Sequence, residues 1–280
     1  MSAPRSDAVV FFGASGDPVG GAHGGDRRVA GPDMLSRRPK VLVIDVGGTH
    51  VKVLASGRRE PREIPSGPSM DASGMVAAVK RLTADWRYDV VSIGYPGVVV
   101  HGRPVAEPYN LGRGWVGFDF RRAFGRPVRI INDAAMQALG SYRRGRMLFL
   151  GLGTGLGSAM IIDGVLEPME LAHLPYRKGR TYEDYVGRGG LERLGKKRWR
   201  RHVADVAERL KAALEADDVV VGGGNAKLLK TLPAGVRRGD NANAFLGGLR
   251  LWDNRLAHAD GVRAHDAHGR RSRGLGRERR

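Results

Sequence analysis

The residues best suited to chemistry are an acid, two glycines and a threonine that follow the apolar run VLVI at 41–44. Asp45 ends this run, and Gly47, Gly48 and Thr49 come after it. A strand that turns through glycines brings bare backbone amides toward a phosphate, and Thr49 adds a hydroxyl. The Asp45 carboxylate can hold Mg²⁺ through water. A tight hairpin with a polar first residue explains these letters equally well, so both interpretations stay open.

Two further glycine-rich turns follow apolar strands, LGLGTGLGSA at 150–159 and VVVGGGNA at 219–226. Two turns of backbone amides can clamp a phosphate chain from both sides, and the third lets a base or ribose lie on bare backbone. Lys52 either supplies positive charge or faces solvent. Three such turns predict a site for a phosphate chain or a nucleotide. The residues predicted to bind it are Asp45, Gly47, Gly48, Thr49, Lys52, Gly153, Thr154, Gly155, Gly222, Gly223, Gly224 and Asn225.

A second acid, Asp133, ends the apolar segment PVRIIND at 127–133. Transfer of a phosphoryl group to a hydroxyl needs a base for the hydroxyl proton, and Asp133 suits that role, while Asn132 can bond a neighbouring hydroxyl. The competing interpretation is that Asn132 and Asp133 cap a helix that begins at Ala134. Both roles are compatible.

Glu170 and His173 in ELAH are three residues apart, which places them on one face of a helical turn. A carboxylate and an imidazole suit a ring of sugar hydroxyls, because each accepts hydrogen bonds and histidine also donates. The same spacing is common on protein surfaces.

The positions of these residues depend on the secondary structure around them, in which strands alternate with helical segments between 39 and 252. That alternation predicts an α/β fold with a largely parallel sheet, in which ligands bind beyond the carboxyl ends of strands. A hairpin is predicted around the glycines of 147–164, helices at 182–195 and 198–216, and a strand, glycine turn and helix at 217–232.

Composition limits the classes of function. The chain has 280 residues, no cysteine and a net charge of +18. The absence of cysteine excludes disulfides and thiolate zinc sites and permits a cytoplasmic location. No apolar run approaches the roughly 18 residues of a membrane helix, and AVVFFGA at 8–14 lacks a basic leader, so we expect neither a membrane protein nor secretion.

The positive charge favours an anionic partner, although a genome rich in arginine codons explains the excess as well. Nucleic acid is not expected to be that partner, because aromatic residues make up 6% of the chain and nothing resembles a recognition helix.

The motifs DVGGTHVK, LGTGLGSA and VVVGGGNA resemble the two phosphate motifs and the adenosine motif of the ROK (repressor, ORF, kinase) sugar kinases. IGYPGVV at 93–99 and INDA at 131–134 are also similar to that family. YPGVV, PYNLGRGW, ELAHLPY and YEDYVGR look most like its polyphosphate/ATP glucokinases. The resemblance spans about residues 40–250 and implies the actin-like (ribonuclease H-like) ATPase fold, with two lobes and a central cleft.

The implied organisation has four parts. A disordered extension is expected at 1–38, an N-terminal α/β lobe at 39–128, a C-terminal α/β lobe at 129–252 and a disordered basic tail at 253–280. The last helix of the second lobe is expected to pack back on the first.

The resemblance implies a kinase that transfers a phosphoryl group from polyphosphate or ATP to the 6-hydroxyl of glucose, with mannose as a second sugar. It gives Asp133 the role of catalytic base and assigns Mg²⁺ to Asp45. Ala172 stands where the family usually has glycine, which puts the pose of His173 in question. The expected sugar-binding residues are Asn110, Asn132, Asp133, Glu170, His173 and Glu183.

The cysteine-rich zinc motif of many relatives is missing, so no zinc site is expected. The family is often dimeric, although the sequence itself carries no interface signal. Trp115 is expected to pack in the core. A basic run is either a solvated helix face or a track for a polyphosphate chain, and it contains Arg188, Arg193, Lys196, Lys197, Arg198, Arg200 and Arg201.

Two other interpretations remain. A sugar-responsive transcriptional regulator would carry a DNA-binding module, for which residues 1–38 are too short and too rich in glycine. A catalytically degenerate relative is suggested by the unusual ends of the chain. Against it stand the retained Asp45, Thr49, Asp133 and Glu170, together with Thr154.

Overall fold

A computed structural model of the protein describes residues 38–240 and 242–253. The extension predicted at 1–38 and the tail predicted at 253–280 lie outside the described residues, apart from Arg38 and Asp253.

The described chain contains two five-stranded sheets with the same arrangement. The first is made of β1 (Val41–Val46), β2 (His50–Ala55), β3 (Arg62–Pro65), β4 (Val90–Tyr95) and β7 (Val128–Asn132), in the spatial order β3-β2-β1-β4-β7. The second is made of β8 (Arg146–Leu152), β9 (Leu156–Ile162), β10 (Val165–Met169), β13 (Asp218–Gly222) and β14 (Val236–Arg238), in the order β10-β9-β8-β13-β14. Two small hairpins stand apart from them, formed by β5 (Val99–Val100) with β6 (Arg103–Pro104) and by β11 (Pro175–Arg177) with β12 (Arg180–Thr181).

Each large sheet is mixed, which corrects the expectation of a largely parallel one. In the first sheet β1 pairs with β2, and β2 with β3, in antiparallel fashion, whereas β1–β4 and β4–β7 are parallel. The second sheet repeats this pattern. Alternation of strands with helices identifies only the parallel half, because the first three strands of each sheet follow one another through turns without a helix between them.

Six helices cover the sheets of the described chain: α1 (Ala72–Leu82), α2 (Phe120–Phe124), α3 (Asp133–Ser141), α4 (Tyr182–Val186), α5 (Arg188–Ala213) and α6 (Asn243–Arg250). Within this part of the chain no helix has both the length and the apolar character that crossing a bilayer requires.

The helices form layers around the sheets. Leu42 and Ile44 of β1 belong to the same buried cluster as α1, while Val43 belongs to the cluster that includes α6. In the second sheet Leu148 packs with α5 and Phe149 with α3. The pair α3 and α6 is therefore shared between the sheets, and β1 and β4 are apolar along nearly their whole length because both faces of their sheet are covered.

Two helix predictions need correction. The helix predicted at 182–195 is interrupted at Gly187, whose extended backbone separates α4 from α5. The boundary predicted between this helix and the one at 198–216 is confirmed by a break inside α5 at Gly195, whose φ of 72° is not helical. After the glycines of the third turn only one short 3₁₀ turn forms, at Ala226–Leu228. The carbonyl groups of Leu228 and Leu229, which would continue a helix, accept hydrogen bonds from Arg200 and Arg238 instead.

Candidate active site

Asp45 lies at the end of β1, where the sheet register sets it opposite Gly94 of β4 and Lys52 of β2. Gly94 has no side chain to keep the neighbouring helix away. A Cβ there would lie 2.3 Å from Cε of Met136 and 3.6 Å from Cα of Asp133. This glycine lets the first turn of α3 close on the end of the first sheet and brings the two acids into one site.

Asp133 is the first residue of α3 and is partly buried. Burial, followed by the neighbouring Asp45 carboxylate, raises the pKa of Asp133 from 3.8 to about 7, against a backbone hydrogen bond from Ala134 that lowers it. Burial also raises the pKa of Asp45 to about 6, opposed by attraction to Lys52. Two carboxyl groups that share a desolvated site cannot both ionise easily, so the pair titrates close to neutral pH.

Asn132 caps α3. Its Oδ1 accepts hydrogen bonds from the backbone nitrogens of Ala134, at 2.9 Å, and Ala135, at 3.2 Å. Its Nδ2 donates to the carbonyl oxygen of Gly97 at 3.1 Å. The capping interpretation of Asn132 is thus found in the structure and fixes the direction of the helix that carries Asp133. A bond from Asn132 to a sugar hydroxyl stays a prediction.

The first glycine turn is a hairpin between β1 and β2. The nitrogen of Gly47 donates to the carbonyl of His50 at 3.0 Å, and the hydroxyl of Ser66 donates to the carbonyl of Gly47 at 2.6 Å. Gly48 lies directly against Asn110, whose Cβ would be 2.9 Å from a Cβ at Gly48. The predicted sugar residue Asn110 and the predicted phosphate turn therefore meet.

Lys52 is exposed, and its Nζ lies 3.9 Å from Oε2 of Glu63 on β3. The strands set Asp45, Lys52 and Glu63 directly opposite one another, so the three side chains share one face of the sheet. Lys52 acts on Asp45 through charge. Contact of Lys52 with a phosphate stays a prediction.

The second and third glycine turns are joined to each other. Nδ2 of Asn225 donates to the carbonyl of Gly153 at 3.0 Å, and the nitrogen of Asn225 donates to the carbonyl of Leu152 at 2.9 Å. Gly223 has a φ of 80°, and a Cβ there would lie 2.6 Å from the carbonyl oxygen of Leu152, so only glycine fits. Gly222 ends β13 opposite Gly151 of β8, and Gly224 has open space around it.

Glu183 of α4 supports the second glycine turn through a hydrogen bond. Its Oε2 accepts a hydrogen bond from the nitrogen of Leu156 at 3.0 Å, and a Cβ on Gly155 would lie 2.2 Å from that oxygen. The nitrogen of Arg188 donates to the carbonyl of Thr154 at 3.1 Å, so the start of α5 also rests on this turn. Glu183 was predicted to bind sugar, and its carboxylate lies against the glycine turn; binding of sugar by Glu183 stays a prediction.

The start of α3 also borders the hairpin that carries the second turn. A Cβ on Gly157 would lie 2.7 Å from Cβ of Ala134, and one on Gly151 would lie 3.7 Å from it. Asp133, the residue before Ala134, is thereby placed next to strands of both sheets.

Glu170 and His173 lie in a turn between β10 and β11 and are exposed. The nitrogen of Leu174 donates to the carbonyl of Leu171 at 3.3 Å, so the segment is a single turn and not a helix. Within residues 38–240 and 242–253, neither side chain forms a hydrogen bond or ion pair.

No group of three or more His, Cys, Asp or Glu side chains that could enclose a metal ion occurs among the described residues. Mg²⁺ is usually held by one or two carboxylates together with water and substrate phosphates, and Asp45 beside Asp133 offers that kind of donor set. The residues present therefore fit a magnesium ion that a phosphate donor brings with it.

Several contributing residues were not found from the sequence. Gly94 lies in the quoted IGYPGVV, where the glycine before an aromatic residue could have indicated a close approach of two elements. The support of the first turn by Ser66 and of the second by Arg188 has no local sequence signal, because both contacts join segments that the pattern does not relate. Trp115 is fully buried, as expected, and packs on Tyr95 with ring centroids 5.6 Å apart.

Residues 41–167, which contain the first two glycine turns and the two acids, match the family model described as "ROK family". The chain is thus similar to the ROK family over 127 of its 280 residues. A relative with this similarity is the polyphosphate glucokinase of Mycobacterium tuberculosis, which is 31% identical over 154 residues, covering 50% of this chain and 57% of the relative. Another is the bifunctional enzyme NanE/NanK of Brucella melitensis, 34% identical over 145 residues, covering 45% of this chain and 27% of the relative.

The chain therefore spans between about a quarter and somewhat over half of the length of these curated relatives. Among solved structures, the inorganic polyphosphate/ATP-glucomannokinase of Arthrobacter sp. strain KM superposes with a TM-score of 0.65 at 24% identity, over 76% of this chain and 98% of the other. The fold is the actin-like ATPase fold. A ROK family transcriptional regulator also shares it, with a TM-score of 0.59.

Proposed function

We propose that this protein is a hexose kinase of the ROK family, which transfers the terminal phosphoryl group of ATP or polyphosphate to the 6-hydroxyl of glucose, and also of mannose. The observation that supports it most is the Asp133 carboxyl. This group has a pKa of about 7, lies at the start of a helix beside Asp45, and borders the strands that carry the second glycine turn.

Asp133 is the base in this reaction. A base works best when its pKa is close to the working pH, because it is then largely unprotonated and still accepts a proton readily. The carboxylate takes the proton of the sugar 6-hydroxyl as that oxygen forms a bond to the terminal phosphorus. The bond between this phosphorus and the bridging oxygen breaks, and the electron pair leaves with the shortened donor.

The glycine turns position the donor. The nitrogens of Gly47, Gly153 and Asn225 already donate to backbone carbonyls, so those of Gly48, Thr49, Thr154 and Gly155 are proposed to donate to phosphate oxygens. The conformations of the turns are supported by hydrogen bonds from Ser66 and Asn225 and to Glu183. Bound Mg²⁺, held through Asp45, would neutralise charge on the transferred phosphate. Placement and electrostatics supply most of the rate in such a reaction.

Asn110 and Asn132 are proposed to orient the sugar from the first sheet, and Glu170, His173 and Glu183 from the second. Asn110 lies against Gly48 and Asn132 directly precedes Asp133, and this proximity to the proposed donor turn and base supports the role. Glu170 and His173 have their hydrogen-bonding groups free within the described chain, as residues that exchange water for sugar hydroxyls should.

Whether the donor is ATP or polyphosphate depends on the basic residues of α5. Most of the basic run at 188–201 is exposed. Its first residue, Arg188, is also the first residue of α5, and the Arg188 backbone nitrogen donates to the carbonyl of Thr154. A polyphosphate chain longer than a triphosphate could continue from the second turn along this face. Arg200 is excluded from that track, because it is half-buried and bonds to Leu228.

A purely sugar-sensing regulator or a degenerate relative explains the two acids less well. Neither needs a pair of buried carboxyl groups, which costs free energy in the folded state. The full chain should be offered glucose, mannose, fructose and N-acetylmannosamine, each with ATP and with polyphosphate, and the sugar phosphate measured. We expect product from glucose and mannose with at least one donor; no product from any pairing would overturn the proposal.

A further inference from the structure

A cluster of polar and aromatic side chains joins β11 to α5 away from the two acids. The hydroxyl of Tyr176 donates to the carboxylate of Asp205 and lies 3.0 Å from Nδ1 of His202. Asp205 also accepts from Arg177 at 3.2 Å and from Arg209 at 3.0 Å. Burial, together with the bond to Asp205, raises the pKa of Tyr176, so its hydroxyl keeps its proton and donates at neutral pH.

Aromatic contacts close the cluster. The ring of Tyr176 lies 5.2 Å from that of Tyr182, 5.0 Å from that of Tyr185 and 5.7 Å from that of His202. These distances are typical of stacked and edge-to-face ring pairs, which fix the relative orientation of the rings and also bury apolar surface. Tyr176 therefore fixes the β11–β12 hairpin to α5 both by its hydroxyl and by its ring.

The segment that Tyr176 fixes has the predicted sugar residues at its two ends. Glu170 and His173 come just before β11, and Glu183 comes just after β12. Two backbone bonds close the base of this loop, from Tyr182 nitrogen to Leu174 oxygen at 3.1 Å and from Glu183 nitrogen to Ala172 oxygen at 3.0 Å. Because of these bonds, a displacement of the hairpin would also displace the turn that contains Glu170 and His173.

That turn has little else to orient it. The hydroxyl of Ser158 accepts from the nitrogen of Leu171 at 3.1 Å and donates to the carbonyl of Met169 at 2.8 Å, which anchors its first side. The side chains of Glu170 and His173 form no hydrogen bond with any residue the structure describes. The position of both side chains consequently depends on the backbone that the hairpin holds.

We propose that Tyr176, His202 and Asp205 form a positioning cluster for hexose binding. The cluster holds the β11–β12 hairpin so that Glu170 and His173 are set for the sugar before it arrives. None of the three touches substrate or donor. This inference rests on the proposed kinase function.

The test is the substitution Tyr176→Phe, which removes the hydroxyl and keeps the ring contacts. We expect KM for glucose to rise about tenfold, an effect of the size that loss of one hydrogen bond to a charged group produces. KM for the donor and kcat should change by less than about twofold, because the glycine turns and Asp133 lie outside the loop. Calorimetry with glucose alone should give the same weakening of binding.

A second variant separates positioning from folding. Asp205→Asn removes the charge that Tyr176, Arg177 and Arg209 share, so it should raise KM for glucose at least as much. The double variant should be no worse than Asp205→Asn alone, because both changes act on the same bond between Tyr176 and Asp205. Tyr142→Phe is the matched control, since the Tyr142 hydroxyl bonds to the carbonyl of Gly145 at 3.3 Å in a different turn. We expect the control to leave KM for glucose unchanged.

Two results would overturn the inference: a Tyr176→Phe enzyme with unchanged KM for glucose, or one in which KM for glucose and donor rise together. Failure of the proposed function gives a different result. In that case the parent protein neither forms sugar phosphate nor binds glucose in the calorimeter, and the inference falls with it.

Discussion

At the scale of single residues, the protonation of Asp133 decides what the site can do. Burial and Asp45 raise the pKa of Asp133 to about 7, and Asp45 itself has a pKa of about 6. Between these values the two groups are each partly protonated, so small changes in their surroundings change the fraction of active base. In the proposed reaction Asp45 would thus set both the charge of the donor site and the strength of the base.

Replacement of Asp45 by Asn should lower the pKa of Asp133, because it removes the negative charge that opposes ionisation. We expect the midpoint of Asp133 to fall by about half a unit or more. The measurement is an NMR titration of ¹³C-labelled aspartate carboxyl groups in parent and variant. Asp163→Asn, in an exposed turn, is the control and should leave the midpoint in place. An Asp133 midpoint that Asp45→Asn does not move would show that the two acids do not interact.

The same pKa makes a prediction about stability. The folded-state pKa of Asp133 lies above the ordinary value of 3.8, so the folded protein binds this proton more tightly than the unfolded chain. The stabilisation is complete below about pH 4 and is lost as the pH rises through about 7. Above that pH the desolvated Asp133 carboxyl group is charged in the folded protein, and Asp133→Asn removes this unfavourable charge.

We therefore expect Asp133→Asn to raise the free energy of unfolding at pH 8 by about 1–3 kcal/mol relative to its effect at pH 5. Thermal melts followed by circular dichroism at the two pH values check this. An equal change in Tm at both values would mean that the carboxyl is not desolvated in the folded state.

At the scale of elements, the second glycine turn depends on α4. Glu183 reaches from α4 to the nitrogen of Leu156, and there is room for its carboxylate only because residue 155 is glycine. Gly153, on the other side of the turn, has open space around it. Gly155 is therefore needed to leave space for the Glu183 carboxylate, whereas Gly153 is not.

Gly155→Ala should displace the Glu183 carboxylate and break its bond to Leu156. Loss of a hydrogen bond to a charged group lowers the free energy of unfolding by about 1.5–3 kcal/mol. Gly153→Ala, the matched control, should change it by less than about 0.5 kcal/mol. Urea denaturation compares the two variants, and equal losses would contradict the bracing role of Glu183.

Much of the site could be predicted from the sequence because it follows apolar strands. Asp45, Asp133 and the three glycine turns each stand directly after such a strand, and parallel strands bring their ends to one edge. The hairpin of β1 and β2 was one of the two interpretations of the first glycine turn and is confirmed. The antiparallel place of β3 was missed, because a short turn between strands does not reveal which edge a strand joins. The bond from Tyr176 to Asp205 was missed as well, since residues 29 apart in a short strand and a helix share no sequence period.

At the scale of the whole molecule, α3 and α6 connect the two sheets. α6 follows the second sheet in the chain but packs against Val43 of the first, where a Cβ on Gly248 would lie 2.2 Å from Val43 Cγ1. α3 and α6 approach so closely that a Cβ on Gly247 would lie 1.8 Å from the carbonyl oxygen of Met136. The helix that carries Asp133 is therefore held by contacts with both halves of the protein.

Gly247→Ala should force the two helices apart, because the contact is with backbone and cannot be relieved by a side chain. We expect it to lower the free energy of unfolding by about 3 kcal/mol or more. Gly189→Ala, in an exposed part of α5 with nothing within 4 Å, should instead be neutral or stabilise by up to about 1 kcal/mol. Chemical denaturation measures both, and a Gly247→Ala protein as stable as the control would contradict the close crossing of α3 and α6.

The role of Asp133 as base is tested most directly by comparing turnover and sugar binding in the parent and in Asp133→Asn. With glucose and whichever donor supports the parent, we expect kcat to fall by about 10²–10⁴-fold, the usual contribution of a general base. Glucose binding measured by calorimetry should change by less than about threefold, because asparagine keeps the size of the side chain. An Asp133→Asn enzyme as fast as the parent would contradict the assignment.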